Sequence, residues 1–305
     1  MIKRTIYFGN PAYLSQTKGQ LVISLPKTET KEEEKHTIPI EDIGVLILDN
    51  SQITITQSVM VTLLENNVAI ITCDKNHHPI GLQLCLEGNT IQSERFRLQI
   101  NASESLKKNL WQQTIMSKIH NQAMVLKELD IPIRNMQTWS SSVLSGDAKN
   151  HEARAAAYYW KTLLESHENF KRERFGEYPN NFFNYAYSIL RAITARSLVG
   201  SGLLPTLGIH HKNRYNAYCL ADDIMEPYRP FADKIVLDTI RKHPEEETLT
   251  TQIKQELLTI PVIDVGIAKQ RRPLQIAMQE TTSSLAQCFD STRRKIKYPV
   301  LSGKI

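Results

Sequence analysis

Two hydrophobic periodicities divide the chain. Up to about Gln92 the apolar residues come in short runs separated by breakers. Thr5-Ile6-Tyr7-Phe8 runs into Asn10-Pro11, Leu21-Val22-Ile23-Ser24-Leu25 is partly β-branched, and Val45-Leu46-Ile47-Leu48 is continuous. Ile53-Thr54-Ile55-Thr56 alternates with period two, Val68-Ala69-Ile70-Ile71 is continuous again, and Ile80 to Leu86 alternates in part before Gly88-Asn89. Runs of this length with these boundaries predict strands. One short helix interrupts them, starting at Thr56 or Ser58, with Val59, Leu63 and Leu64 on its apolar face and Asn66-Asn67 at its end. The charged stretch Lys27 to Lys35 predicts an exposed hairpin tip. The long crossover helices of a parallel nucleotide-binding sheet are missing, so a small sheet-rich domain is expected instead.

Beyond Gln92 the period becomes helical. No Gly or Pro interrupts Ser103 to Leu129, where Leu106, Leu110, Ile115, Ile119, Met124 and Leu126 recur. A second helix begins at Asp147 or Asn150 and runs through an Ala- and Leu-rich stretch, both strong helix formers. Asn184 to Leu198 is a third, ended by Gly200 and Gly202. Asp222 to His243, kinked at Pro227, and Thr248 to Leu258 follow; Pro273 then sits at a suitable first helical position before Leu274 to Phe289. The basic stretch Arg293-Arg294-Lys295-Ile296-Lys297 reads as a loose tail. There is no internal repeat. The expected class is α+β: a β-rich N-terminal domain over residues 1–92, then a larger all-α C-terminal domain over 93–305.

Composition narrows the function classes. Of 305 residues, 41% are hydrophobic and 23% charged, which suits a globular chain rather than a disordered one. No apolar run approaches the roughly 18 residues that span a bilayer, and the first residues show no secretory h-region. Cys73, Cys85, Cys219 and Cys288 are far apart and form no C-x-x-C, which disfavours a zinc ribbon or a disulfide framework. A reducing cytoplasm is expected. The net charge of +5 is uneven. Residues 1–100 hold 9 basic and 11 acidic side chains, whereas residues 101–305 hold 28 and 21, an excess that suggests a polyanionic partner for the second part.

Three stretches supply candidate metal ligands. In Gly146-Asp147-Ala148-Lys149-Asn150-His151-Glu152-Ala153, Glu152 opens a helix of small residues; the plain alternative is an acid favoured by the helix dipole. In Gly208-Ile209-His210-His211-Lys212-Asn213-Arg214, two adjacent imidazoles cannot face the same way in regular structure, so at most one is an obvious ligand. In Asp222-Asp223-Ile224-Met225-Glu226, Asp223 and Glu226 share a helical face, and Asp222 with Glu226 could also pair. Carboxylates this close repel unless a cation separates them. Two carboxylates and an imidazole suit Mg²⁺ or Mn²⁺, hard ions that keep positions open for a phosphate.

The three stretches together resemble the motifs of the CRISPR-associated integrases, the Cas-one family. The family pattern is a Gly-Asp…Asn-x-Glu-Ala helix start, a Gly-x-x-His-x-x-Arg loop, and Asp-x-x-Glu before Arg-Pro, matched here by Arg229-Pro230. The loop pattern selects His211 over His210. Trp111-Gln112-Gln113-Thr114-Ile115 with Lys118-Ile119-His120-Asn121-Gln122, and Pro179-Asn180-Asn181-Phe182-Phe183-Asn184-Tyr185-Ala186-Tyr187, resemble the form found in type II CRISPR systems. Such polar runs on a long helix could equally be a solvated face or an interhelical network.

The resemblance implies an integrase that holds Mg²⁺ or Mn²⁺ on Glu152, His211 and Glu226, with Asp223 and Asn150 around them. It would join the 3′-hydroxyl ends of a captured double-stranded DNA fragment to CRISPR repeat DNA by transesterification. It further implies a homodimer formed through the N-terminal domain, catalysis in the helical domain, a small ferredoxin-like Cas-two partner, other type II CRISPR proteins as further partners, and no membrane. The candidates for DNA contact are Arg154, Lys212, Arg214, Arg229, Lys269, Arg271 and Arg272. Tyr158, Tyr159, Tyr185 and Tyr187 could stack on frayed ends, although helical spacing favours core packing for most of them. Two alternatives remain at this stage: a metal-dependent nuclease of branched or single-stranded DNA with water as nucleophile, and a non-catalytic DNA-binding scaffold.

Overall fold

The computed structural model describes residues 3–27, 34–75, 77–165, 170–173 and 176–301. The chain divides into two compact units, residues 1–88 and 89–305.

The first unit holds β1 (Arg4–Phe8), β2 (Ala12–Thr17), β3 (Gln20–Leu25), β4 (Glu34–Pro39), β5 (Ile43–Leu48), β6 (Ile53–Ile55), α1 (Gln57–Glu65), β7 (Ala69–Cys73) and β8 (Pro79–Gln83). They form two four-stranded sheets, ordered β1-β5-β7-β8 and β4-β3-β2-β6. Leu14, Leu21, Ile23, Ile43, Leu46, Val59, Leu63, Val68 and Ile70 meet in one core. Val59 and Leu63 are the α1 residues its apolar face predicts.

Two strands escape the sequence pattern, each for a physical reason. β2 turns only Ala12 and Leu14 fully inward, and it joins β3 through Lys18 (φ +49°) and Gly19 (φ +74°), a two-residue turn of the kind that matches strand twist. β4 is an edge strand of charged and polar residues, which keeps it from pairing further. The expected tip between Lys27 and Lys35 falls on residues 28–33, outside the described residues; its stems pair with Leu25 opposite Glu34.

The unit is sheet-rich and has no long crossover helix among the described residues, as expected, and both of its sheets are mixed. β1, β5 and β7 run parallel to one another, and β6 runs parallel to β2. The crossovers are supplied by the β2–β4 hairpins and by the single short helix α1, so no long helix is needed.

The second unit is mostly helical: α2 (Gln92–Ile100), α3 (Glu104–Glu128), α4 (Arg134–Ser141), α5 (His151–Leu163), α6 (Asn180–Gly200), α7 (Cys219–Met225), α8 (Arg229–Lys242), α9 (Thr251–Leu257) and α10 (Leu274–Phe289). Ser103 caps α3 by accepting from the Leu106 amide at 3.1 Å. The kink expected at Pro227 is a one-turn 3-10 helix, Glu226–Tyr228, between α7 and α8. Among the described residues no helix is long and apolar enough to cross a membrane.

Two expectations are corrected here. The unit is not all-α: β9 (Asp264–Ile267) and β10 (Gln270–Pro273) form a hairpin turning at Ala268 (φ +48°) and Lys269 (φ +64°). Four-residue strands without a glycine at the turn leave little periodic signal. Nor is the basic stretch after α10 loose. The Ile296 amide donates to Gln113 Oε1 and the Lys297 amide to Ser284 Oγ, both at 2.9 Å. Tyr298 bonds Thr114 through its hydroxyl at 2.7 Å, and Val300 bridges to Gly266. Asn121 donates to the carbonyls of Pro227 (2.8 Å) and Pro299 (3.1 Å) and accepts from the Leu301 amide (2.9 Å). Apolar Ile296 and Leu301 are buried, which anchors a segment that its charges alone would leave in solvent.

Candidate active site

The loop before α5 is built around Asp147. Gly146 and Asp147 both take positive φ, +68° and +53°, a region that glycine and aspartate tolerate best. This turns the Asp147 carboxylate under the helix start, where it accepts from the amides of His151 and Glu152, each at 2.9 Å. Asn150 is exposed, in the left-handed region, and makes no capping bond. Glu152 therefore leaves the first turn with its side chain free of capping duty.

The loop Gly208–Arg214 is fastened from below by Asp223 on α7. Asp223 is fully buried and accepts from the amides of His210 (2.9 Å) and His211 (3.3 Å). Its Oδ1 also lies 2.5 Å from His211 Nδ1. That bond raises the His211 pKa and fixes which ring nitrogen faces outward. Gly208 is required by close approach: a Cβ there would sit 2.4 Å from the His211 carbonyl oxygen and 2.8 Å from Asp223 Oδ2. His210 turns the other way and stacks on Trp111, ring centroids 4.1 Å apart and planes 1° from parallel. Its pKa is lowered by partial burial.

Glu226 opens the 3-10 turn and is almost fully buried. Two cations hold it: Arg229 at 3.1 Å and Lys118, from the middle of α3, at 2.7 Å. Burial pushes the Glu226 pKa up, but Arg229 and Lys118 outweigh it, so the carboxyl is held below its ordinary range. Lys118 also lies 2.7 Å from Glu152 Oε1. Burial works against its charge, yet Glu226 and Glu152 together keep the ammonium above its ordinary pKa. One ammonium thus gathers both carboxylates, and two oxygens each 2.7 Å from one nitrogen cannot be further apart than twice that. His211 adds its influence to Glu226 electrostatically.

Among the described residues no three His, Cys, Asp or Glu side chains stand close enough to hold an ion as placed. The donor chemistry nonetheless fits a hard divalent cation: two carboxylates converge on one cationic point, and an imidazole oriented by Asp223 interacts electrostatically with both. Asp222, a further candidate partner of Glu226, is instead occupied by Arg191 at 2.7 and 3.0 Å and by Asn216 at 2.7 Å.

A family profile described as CRISPR associated protein Cas1 matches residues 6–259. The chain belongs to the Cas1 family. It is 36% identical over 302 residues, covering 98% of this chain and 96% of the relative, to a CRISPR-associated endonuclease Cas1 from Neisseria meningitidis. A casposase bound to integration product has a similar fold, with TM-score 0.81 at 19% identity, over 97% of this chain and 92% of that one. So does a chain of a Cas6-RT-Cas1–Cas2 complex, with TM-score 0.73 at 17% identity, over 96% of this chain and 35% of that longer one.

In this Cas1-family chain the basic candidates fall into separate places. Arg154, Lys212 and Arg214 are exposed. Lys212 pairs with Glu104 at 3.3 Å, and Arg214 lies over the Tyr215 ring. Lys212 and Arg214 line a cavity of about 410 Å³ with Lys107, Asn213, Cys219 and His211. Arg229 is engaged by Glu226 and lies over the Tyr187 ring at 4.8 Å. Lys269 and Arg271 are exposed on the β9–β10 hairpin, whereas Arg272 pairs with Glu280 at 2.7 Å. That hairpin lines a different cavity, which also includes Glu128, ten residues along α3 from Lys118, or about 15 Å.

Of the tyrosines, Tyr159 and Tyr185 are fully buried. Tyr159 and Tyr187 both donate to buried Asp233, whose carboxyl burial pushes up to about 6. Tyr158 donates to the Pro132 carbonyl.

The sequence reading left Lys118 without a role. Its signal was phase: Trp111, Ile115, Lys118, Ile119 and Gln122 follow the i, i+3, i+4 rule, so the lysine shares the buried stripe of α3.

Proposed function

We propose that the chain is a metal-dependent DNA integrase of CRISPR spacer acquisition, acting in the cytoplasm. One observation carries the reading: Glu152 and Glu226, from helices far apart in sequence, converge on a single cationic point beside an imidazole oriented by Asp223. The printed names of the relatives support it, since one is a CRISPR endonuclease and another is bound to integration product. Glu152, His211 and Glu226 would hold Mg²⁺ or Mn²⁺. When bound, such an ion stabilises the attacking and leaving oxygens of a phosphodiester exchange.

The chain's own residues supply the rest. Asp223 holds the His211 ring in one tautomer and orientation. Arg229 keeps Glu226 ionised in a buried position. Lys212 and Arg214, exposed beside His211, would bind backbone phosphates and position DNA without reading its sequence. Arg154, Lys269 and Arg271 would extend that contact elsewhere. A 3′-hydroxyl attack conserves the number of phosphodiester bonds, so no nucleotide is hydrolysed to drive it, and the sequence holds no P-loop.

The word endonuclease in the relative's name favours one second reading, in which water is the nucleophile at the same residues. A strand-transfer assay separates the two. The chain, Mn²⁺, a short duplex with free 3′ ends and repeat DNA are expected to give joined products, more of them with the small Cas-two partner. Shortened strands without joined product would favour the nuclease, and no metal-dependent product at all would leave the scaffold. The Cas1–Cas2 assembly among the similar structures supports that partner. The motifs around Lys118 and Asn184 support a type II system.

The first unit would form the homodimer and the second would carry the chemistry. β8 is the last strand of its sheet among the described residues, and its Ile80 is 72% exposed, an apolar surface suited to association. Sedimentation of the full chain should give a dimer that Ile80→Glu weakens. A wild-type monomer at tens of micromolar would overturn this assignment.

A further inference from the structure

Lys118 is buried, and both of its anionic partners belong to the proposed ion site. A buried lysine is costly unless paired, and two carboxylates brought together, one of them buried, are costly unless a cation lies between them. Each feature accounts for the other in the metal-free chain. Two carboxylates, Glu152 and Glu226, are balanced by two cations, Lys118 and Arg229. A divalent ion placed among these groups without displacing one of them would leave a buried excess of positive charge. Arg229 is the less replaceable cation, since it is fixed over Tyr187 and, of the two carboxylates, pairs among the described residues with Glu226 alone. Lys118 is a flexible point charge that touches both carboxylates at once, which is the position a hard ion needs.

We propose that the Lys118 ammonium is a built-in stand-in for the metal: it gathers Glu152 and Glu226 in the metal-free chain and competes with the divalent ion for their oxygens. Lys118 is thus a positioning residue, and this inference rests on the metal-site reading above. The competition has two consequences. The carboxylates are already assembled when the ion arrives, and the affinity for the ion is held below what the same carboxylates would give alone.

The test is Mn²⁺ affinity, read from the free-ion electron paramagnetic resonance signal, on full-length wild type, Lys118→Met, Lys118→Arg and Glu226→Gln. Lys118→Met removes the competitor and should tighten Mn²⁺ binding at least about tenfold, about 1.4 kcal/mol. Its metal-free form should melt earlier than wild type and recover with Mn²⁺. Lys118→Arg keeps the charge but can grip a carboxylate with two parallel bonds, so Mn²⁺ should bind more weakly than to wild type. Opposite shifts for Met and Arg are what occupancy of one position predicts. A tighter Met variant with an Arg variant equal to wild type would mean a general field effect and would overturn the inference. Two unchanged variants, with binding still abolished by Glu226→Gln, would overturn it alone. Wild-type binding that Glu226→Gln leaves intact would overturn the metal-site reading as well. If Lys118→Met does not fold even with Mn²⁺, the Arg variant decides.

Discussion

Glu152→Ala is expected to abolish strand transfer, by on the order of 10³-fold, while leaving the melting temperature close to wild type. The side chain lies at the edge of the site and is partly exposed, and the α5 start is capped by Asp147 rather than by Glu152. Its loss removes one proposed ligand and one partner of Lys118, which keeps Glu226. Glu226→Ala should behave differently. That carboxylate is buried and holds both Lys118 and Arg229, so its removal takes this partner from Arg229 and leaves Lys118 with Glu152. Breaking a buried pair by deleting one side costs about 3–5 kcal/mol, and this variant should lose stability along with activity. Thermal melting alongside the strand-transfer assay checks the contrast. An active, well-folded Glu152→Ala would remove Glu152 from the site, and a Glu226→Ala as stable as wild type would contradict the buried network.

His211→Ala is the second large effect, a loss of about 10²–10³-fold in the same assay. His210→Ala should lose no more than a few-fold. Its ring lies against Trp111, and such a stack contributes about 1 kcal/mol to holding the loop. Asp223→Asn should fall between them, at roughly 10–100-fold, because it keeps the shape but loses the charge that orients His211 Nδ1. The reverse ranking of the two histidines would show that the loop presents the other ring to the reaction.

The parts of the site that were legible in sequence are those whose geometry is local. Asp147 reaches amides four and five residues ahead, and Gly208 is read from a contact with His211, three residues on. Short motifs record such arrangements. Lys118 meets Glu152 across 34 positions and Glu226 across 108, and nothing nearby in the chain marks that meeting. The fold divides in the same way. Continuous apolar strands such as β5 and the long α3 declare themselves through periodicity. β4, whose exposed residues face solvent at a sheet edge, carries no burial signal, and the β9–β10 hairpin is too short to establish one. The segment after α10 was misread because its charges dominate composition, while its fastening uses backbone amides and carbonyls that every sequence has.

That fastening bears on the order in which the protein is made. Asn121 sits one turn beyond Lys118, and the carbonyls it grips include Pro227, next to Glu226. Its remaining partners, Pro299 and Leu301, leave the ribosome about 180 residues later. At roughly 5–20 residues per second, that interval is on the order of ten to forty seconds. During it α3 is synthesised and can be helical, but the Asn121 carboxamide lacks at least two of its three bonds, and all three until Pro227 is made. The turn that carries Lys118 is therefore secured only once residues 299–301 have been made, so a nascent chain holds the proposed ligands Glu152 and Glu226 in an unfinished setting until then.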